Sequence, residues 1–212
     1  MILLIGSEKG GSGKTTLATN LAVLRVMHNK DVLLLDADKQ ESASLWATVR
    51  TQEGHLPRIP SVQKKGVALA QELKELASRY EDIIVDVGGR DSVELRSALL
   101  VADRFYIPFR PSQYDLWSLD NLHELITQVK ALNPNLKAFV VINLAASNPR
   151  INEVAEVLPM IEEYEHISFS GAIIRDRISF RKCTSEGKSV HEYHDEKAKQ
   201  ELDKLYTHAF EA

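Results

Sequence analysis

Cysteine is nearly absent from this sequence of 212 residues, which contains only Cys183. A single thiol allows no disulfide within the chain, and this is typical of proteins from a reducing compartment. No apolar run approaches the ~20 residues that a membrane-spanning helix requires. Met1 leads directly into a strand-like stretch, with no basic segment and no cleavage site before it. We therefore expect a cytoplasmic protein with neither a membrane span nor a signal peptide.

The sequence also lacks an excess of positive charge. Lysine and arginine number 26 against 30 aspartates and glutamates, which gives a formal net charge of −4. Any nucleic-acid binding must therefore come from a local basic patch or from an assembly of several copies. Hydrophobic residues make up 44% and charged residues 26%, as in ordinary globular domains. The length favours one domain spanning residues 1–212.

Short apolar segments alternate with segments of helical spacing. The apolar segments are ILLIG, DVLLLD, DIIVDV, RFYIPF, KAFVVINL and SFSGAII. Helical spacing covers residues 15–27, 63–80, 91–102, 115–132, 152–164 and 192–210. This alternation predicts an α/β fold with a doubly wound, mostly parallel sheet and helices on both faces. Residues 51–66 contain two prolines and two glycines, so we expect a loop or an irregular crossover there.

A glycine-rich turn, SEKGGSGKTT, joins the first apolar segment to the first helical one. Glycines at these positions let successive backbone N–H groups point at an anion, and the following helix adds its positive end. This P-loop arrangement predicts an ATP site built from Gly10, Gly11, Ser12, Gly13, Lys14, Thr15 and Thr16. Lys14 is expected to reach the β- and γ-phosphates, and Thr15 to place its hydroxyl on Mg²⁺. The usual P-loop pattern is incomplete, because Glu8 occupies its first glycine position.

The run KGGSGKTT resembles the deviant Walker A motif, K-G-G-x-G-K-[ST], of the ParA/MinD superfamily. The resemblance implies a homodimer that sandwiches ATP. In such a dimer Lys9 reaches the phosphates bound by the other subunit, while Lys14 serves its own nucleotide. The alternative for Lys9 is an ordinary solvated loop lysine.

The run VLLLDADKQ resembles the second motif of that superfamily, D-x-D-P-Q, with Lys39 in place of proline. The resemblance implies that Asp38 positions or activates the attacking water and that Asp36 supports the Mg²⁺ shell. The catalytic set is therefore Lys9, Lys14 and Asp38. The alternative is that the two acids only cap the next helix. Without the proline the turn has less conformational restraint, which puts the placement of the water in doubt.

A third acidic segment, DIIVDVGGRDS, has an apolar strand that ends in Asp86 and a Gly-Gly turn. This is a Walker B arrangement, in which the acid holds Mg²⁺ through water beside Thr15. The predicted metal residues are Thr15, Asp36 and Asp86. Arg90 is a candidate for an arginine finger in cis, although a surface or interface charge is the favoured alternative. A site this incomplete predicts slow hydrolysis that a partner accelerates.

Two later segments also match the superfamily. Asn143 corresponds to a position that reads the adenine base in relatives, and a turn residue is the alternative. The segment after Walker B contributes to dimer and higher-order contacts in relatives. Phe109, Tyr114 and Trp117 are candidates for such a surface, or else they pack a helix on the sheet.

The segment AIIRDRISFRKCTSEGKSV is locally basic. In partition relatives, basic residues in the C-terminal region bind DNA without sequence preference. The resemblance implies this role for Arg175, Arg177, Arg181, Lys182 and Lys188. The last helix has balanced charges and few bulky anchors, so we expect no membrane binding from it.

The resemblance as a whole implies a ParA-type ATPase for plasmid or DNA partition, of the short form that lacks an N-terminal helix-turn-helix. Its cofactors are ATP and Mg²⁺. Its partners are a second copy of the chain, non-specific DNA and a ParB-like centromere-binding protein, and the ATP form is nucleoid-associated. The alternatives are an ATPase that positions a protein assembly, a MinD-like ATPase and a metabolic P-loop enzyme.

Overall fold

The computed structural model describes residues 1–89, 91–148 and 150–212. The strands are β1 (Ile2–Ile5), β2 (Val32–Asp36), β3 (Ser61–Gln63), β4 (Asp82–Asp86), β5 (Arg104–Phe109), β6 (Lys137–Ala145) and β7 (Ile167–Arg175). The helices are α1 (Lys14–Met27), α2 (Ser42–Gln52), α3 (Leu69–Ala77), α4 (Val93–Leu99), α5 (Gln113–Lys130), α6 (Glu153–Ile161), α7 (Ile178–Ser185) and α8 (Glu196–Phe210). A short 3₁₀ helix covers Val190–Glu192.

The strands form one seven-stranded sheet in the order β3-β2-β4-β1-β5-β6-β7. All neighbouring strands are parallel. The predicted doubly wound α/β fold is confirmed. The register pairs Asp86 with Ile5 on one side and with Asp36 on the other. The carboxyl ends of β1, β2 and β4 therefore meet at one edge, where parallel sheets bind their ligands.

Helices cover both faces of the sheet because alternate strand residues point to opposite sides. Leu4 and Val85 pack in a core with α3, α4, α5 and α6. Leu3 and Ile5 pack in a second core with α1, α2, α7 and α8. The residues that follow each central strand are thereby held between two rigid layers.

The structure differs from the predicted elements mainly between β2 and β4. Helix α2 was not among the predicted helical segments, because its buried residues Ala43, Trp46, Ala47 and Arg50 include two alanines and a charge. Strand β3 lies inside the predicted loop at 51–66; it is three residues long and has no fully buried residue. The helix predicted from residue 63 begins only at Leu69. Within the described ranges no helix is long and apolar enough to cross a membrane.

Candidate nucleotide site

The loop between β1 and α1 forms a cradle for an anion. Gly11 and Gly13 have positive φ angles of 75° and 88°, which glycine accepts without strain. The hydroxyls of Ser7 and Ser12 are 2.7 Å apart and close the loop from inside. Helix α1 begins at Lys14 without a side-chain cap, so its first N–H groups are available to a phosphate.

Lys14 is buried, and its ammonium group is held by the loop itself. Its Nζ donates to the Lys9 carbonyl oxygen at 2.9 Å and to the Ser7 hydroxyl at 3.4 Å. Burial lowers the pKa of Lys14, although the charges of Asp86 and Asp38 oppose this shift. A buried cation whose partners are neutral oxygens gains strongly from an incoming phosphate, since charge-assisted hydrogen bonds are the stronger kind.

Thr15 and Asp86, two of the residues predicted to hold Mg²⁺, are in contact. The Thr15 hydroxyl donates to Asp86 Oδ2 at 2.6 Å. The other carboxylate oxygen, Oδ1, is buried and has no hydrogen-bond partner within the described residues. Burial raises the pKa of Asp86 to about 7, although the hydrogen bond from Thr15 works against the rise. A hydroxyl beside a carboxylate with an unsatisfied buried oxygen fits Mg²⁺, which prefers oxygen ligands.

The Asp36 carboxylate accepts hydrogen bonds from the backbone of the segment that follows β2. Its Oδ1 accepts from the Asp38 N–H at 3.1 Å, and its Oδ2 accepts from the Ser44 N–H at 2.8 Å. Both oxygens therefore fix the path of the chain from β2 into α2. Its predicted part in the Mg²⁺ shell stays a prediction.

Asp38 lies across the cavity from P-loop residues and against the Gly-Gly turn. Its Oδ1 accepts from the Gln40 N–H at 3.0 Å, and a Cβ added at Gly88 would lie 3.0 Å from the same oxygen. The Glu41 N–H donates to the Asp38 carbonyl at 3.2 Å. These two bonds hold the turn that lacks the proline of the motif. The predicted part of Asp38 in positioning the attacking water stays a prediction.

The Gly-Gly turn also touches the P-loop. A Cβ added at Gly89 would lie 3.0 Å from the carbonyl carbon of Lys9 and 3.1 Å from the Gly10 nitrogen. Glycine suits this approach, because a Cβ at these distances would be tighter than nine in ten real Cβ contacts and would meet backbone atoms. A larger residue at position 89 would therefore require the backbone of Lys9 and Gly10 to shift. Arg90, the candidate arginine finger, lies outside the described residues.

Two adjoining cavities open at this edge of the sheet. The first, of about 860 Å³, is lined by Gly10, Gly11, Gly13, Lys14, Thr15, Thr16, Ala37, Asp38, Lys39, Gln40, Ser42, Gly88, Gly89, Asp91, Ser92, Val93 and Glu94. The second, of about 480 Å³, contains Asn143 and shares Gly11, Gly13 and Thr16 with the first. Both sizes lie in the range of small-molecule sites. One compartment beside the P-loop suits the phosphates, and the other suits the nucleoside.

Asn143 braces the P-loop from the second cavity. Its Nδ2 donates to the Ser12 carbonyl oxygen at 2.6 Å, and the side chain is buried. A Cβ at Gly13 would overlap this amide nitrogen. The amide oxygen is the atom left for a base, and the predicted adenine contact stays a prediction.

The ammonium group of Lys9 is held by a carboxylate of its own chain. Its Nζ forms an ion pair with Asp115 Oδ2 at 3.0 Å and lies 5.4 Å from the centre of the Tyr114 ring. Asp115 is at the start of α5 and also accepts from the Ser112 hydroxyl. Tyr114 and Trp117 are exposed by 68% and 57%, whereas Phe109 is buried in the core. Phe109, the last residue of β5, therefore belongs to the core. Of the three predicted aromatic residues, only Tyr114 and Trp117 are exposed enough to form a contact surface.

The basic residues predicted to bind DNA are largely engaged within the chain. Arg175 and Arg177 both lie beside Glu201 of α8, at 3.8 and 2.6 Å. Lys188 pairs with Glu186 at 2.7 Å. The two remaining candidates are Arg181, which is exposed and 3.6 Å from Asp176, and Lys182, which is exposed.

Several residues of the site were absent from the predicted set. Arg110 lines the second cavity together with Arg175, Arg177 and Arg181. Glu94 lines the first cavity, and its Oε1 accepts from the Gly66 N–H at 3.0 Å. No local motif marks these positions. Only the meeting of distant segments brings them to the site.

Comparison with known proteins agrees with this geometry. Residues 3–190 match the family described as the CobQ/CobB/MinD/ParA nucleotide binding domain. The chain is 28% identical over 189 residues to the maintenance of carboxysome distribution protein A of Halothiobacillus neapolitanus, covering 89% of this chain and 85% of that protein. It is 26% identical over 227 residues to the chromosome partitioning protein ParA of Myxococcus xanthus, covering 89% and 80%.

Among solved structures, a plasmid partition protein of Borrelia burgdorferi bound to AMPPNP superposes with a TM-score of 0.75. The two sequences are 20% identical, and the match covers 99% of this chain and 98% of that one. At this identity the likeness concerns the fold. The family match spans most of the chain and includes the P-loop, both Asp36 and Asp38, and Asp86. The chain belongs to the CobQ/CobB/MinD/ParA nucleotide-binding family.

Proposed function

We propose that this chain is an ATP-hydrolysing switch of the ParA type, which carries DNA, such as a plasmid, by alternating between an ATP-bound dimer and a free subunit. The observation that carries the proposal is that Lys14, Thr15 and Asp38 line one cavity at the carboxyl ends of three neighbouring strands, with Asp86 hydrogen-bonded to Thr15 beside it. That set supplies a lysine that binds the phosphates, a hydroxyl and a carboxylate that would hold Mg²⁺, and a second carboxylate that would orient the water.

The chemistry follows from the positions of these side chains. Lys14 exchanges its bond to the Lys9 carbonyl for the β- and γ-phosphate oxygens. Thr15 and Asp86 would hold Mg²⁺, which neutralises charge on the phosphates, with Asp86 acting through water. Asp38 Oδ2 orients the attacking water. Because each step is positioning or charge neutralisation, hydrolysis is slow until the second subunit adds its own cation to the site.

Lys9 supplies the missing cation from the second subunit. In the free subunit it is held at the surface by Asp115. We expect it to leave this partner when two nucleotide sites face each other, because a triphosphate offers more negative charge than one carboxylate. Hydrolysis then removes the phosphate that holds the two subunits together. A centromere-binding partner of the ParB kind would accelerate this step.

The switch is tested by filter binding of the protein to unrelated DNA with ATP, ADP or no nucleotide. Retention only with ATP is expected, and it should fall as salt rises, since phosphate contacts release counterions. The variant Lys182→Glu should reduce retention, because Lys182 is exposed on α7. Lys199→Glu, on α8, is the matched control, since Lys199 lies outside the predicted basic segment. Equal retention in all three nucleotide states would oppose the proposal.

A second candidate is a switch of the same kind whose cargo is a protein assembly. The observation in its favour is that Arg175, Arg177 and Lys188 are engaged with carboxylates of their own chain. The carboxysome distribution protein is also among the relatives. This candidate predicts ATP-dependent dimers that retain no DNA and that capture a protein partner in a pull-down made with AMPPNP.

A further inference from the structure

Position 39 is the one place where the motif after β2 departs from D-x-D-P-Q, and the structure shows what the departure allows. Lys39 occupies the corner of the turn between Asp38 and Glu41. Proline favours such a corner because it fixes φ. Here the Asp38 carboxylate and carbonyl accept the bonds that hold the turn instead. The residue at the corner is therefore free to carry a functional side chain.

Lys39 is exposed and lies in the lining of the phosphate cavity. It lines the same cavity of about 860 Å³ as Lys14, Thr15 and Gly88. Two lysines that follow the neighbouring strand β3 are neutralised, since Lys64 pairs with Glu72 at 3.1 Å and Lys65 pairs with Glu41 at 2.6 Å. Lys39, in contrast, forms no ion pair with any residue that the structure describes.

The charge of Lys39 acts on Glu94, a second residue that lines the cavity. Burial acts to raise the pKa of Glu94, but backbone N–H groups, the Ser92 hydroxyl and the charge of Lys39 hold that pKa below its ordinary value. Glu94 lines the cavity and already accepts from the Gly66 N–H. Its carboxylate is therefore partly satisfied by the backbone, and the ammonium group of Lys39 remains available to a stronger anion.

We propose that Lys39 is a specificity-determining residue, whose ammonium group contacts the γ-phosphate of ATP bound in its own subunit and so favours the triphosphate over the diphosphate. This inference rests on the proposed function of the site. It follows from geometry, because Lys39 extends from the turn of Asp38, the residue expected beside the attacking water. Lys14 supplies the cation from the P-loop, and Lys39 supplies one from the opposite wall.

The test compares the affinities for AMPPNP and ADP, by isothermal titration in the presence of Mg²⁺. All variants are made in a Lys9→Ala background, which removes dimerisation from both affinities. Lys39→Ala should weaken AMPPNP binding about tenfold, the effect of one charge-assisted contact, and should change ADP binding less than about twofold. Lys39→Arg should keep the preference, and Lys39→Pro should lose it. Lys64→Ala is the control, because it removes a half-buried lysine that does not line the cavity.

The relative losses of AMPPNP and ADP affinity distinguish a contact with the γ-phosphate from a general effect on the site. A selective loss of AMPPNP affinity in both Lys39→Ala and Lys39→Pro supports the contact with the γ-phosphate. An equal loss for the two nucleotides, or no loss, overturns it. If the Lys9→Ala parent binds ADP and AMPPNP tightly, the failure concerns Lys39 alone. If neither that parent nor the unaltered chain binds either nucleotide, the proposed function fails together with this inference.

Discussion

The ion pair between Lys9 and Asp115 allows us to predict how a substitution changes the dissociation constant of the dimer. In the free subunit the two groups are 3.0 Å apart, with side-chain exposures of 37% and 10%. Exposed ion pairs are worth roughly 0.2–1 kcal/mol, and partial burial places this one near the upper end, at about 1 kcal/mol. If Lys9 must leave Asp115 to reach the partner's phosphates, each dimer breaks two such pairs. The cost is about 2 kcal/mol, or about thirtyfold in the dimer dissociation constant.

The perturbation is Asp115→Asn, which removes the charge and retains an oxygen for the Ser112 hydroxyl. It should tighten the AMPPNP-bound dimer by up to about thirtyfold, measured by sedimentation velocity over a range of protein concentrations. Asp120→Asn is the control, because Asp120 lies on the same helix and accepts from the Tyr164 hydroxyl rather than from a lysine. An unchanged or weaker dimer in Asp115→Asn would refute the idea that this contact holds Lys9 back.

Three further predictions concern the site itself. Asp38→Ala should slow ATP hydrolysis by about 10²–10⁴-fold while AMPPNP-bound dimers persist, and a phosphate-release assay with normal rates would move the water to another residue. Asp86 has a pKa raised to about 7 by burial, so its contribution to stability is lost as pH rises from its unfolded-state value toward 7. Asp86→Asn should therefore raise the melting temperature of the nucleotide-free protein more at pH 8 than at pH 5, and equal shifts at both pH values would contradict this. Gly13→Ala should abolish nucleotide binding, because φ is 88° and the new Cβ overlaps Asn143. Gly10→Ala is the control: its Cβ meets nothing within 4 Å, so this variant should fold and melt normally. Similar melting temperatures for the two variants by calorimetry would show that the P-loop backbone tolerates the strain.

The central part of the site was predictable because it depends on neighbouring strands. Lys14 and Thr15 come after β1, and Asp86 is the last residue of β4. Parallel pairing brings those two strand ends together whatever the rest of the chain does. The apolar strands themselves are clear in the sequence, since both of their faces are buried. The structure accordingly places the Thr15 hydroxyl against the Walker B acid Asp86, and their predicted part in holding Mg²⁺ stays a prediction.

The remaining features depend on pairs of residues that are distant in the chain. Lys9 and Asp115 are separated by 106 positions, and the bond from Asn143 to Ser12 spans 131. Glu201 lies on α8, and it binds Arg175 and Arg177 only because that helix packs against β7. No local spacing reveals such pairs. A basic stretch read from the sequence therefore overstates the charge that is free to meet DNA.

The proposed switch depends most directly on whether Lys9 joins two subunits through ATP. The decisive measurement is sedimentation velocity of the unaltered chain and of Lys9→Ala, each with Mg²⁺ and AMPPNP, with ADP, or with no nucleotide. We expect dimers only for the unaltered chain with AMPPNP, and nucleotide-bound single subunits for Lys9→Ala. A single subunit in every condition, or equally stable dimers in Lys9→Ala, would contradict the account.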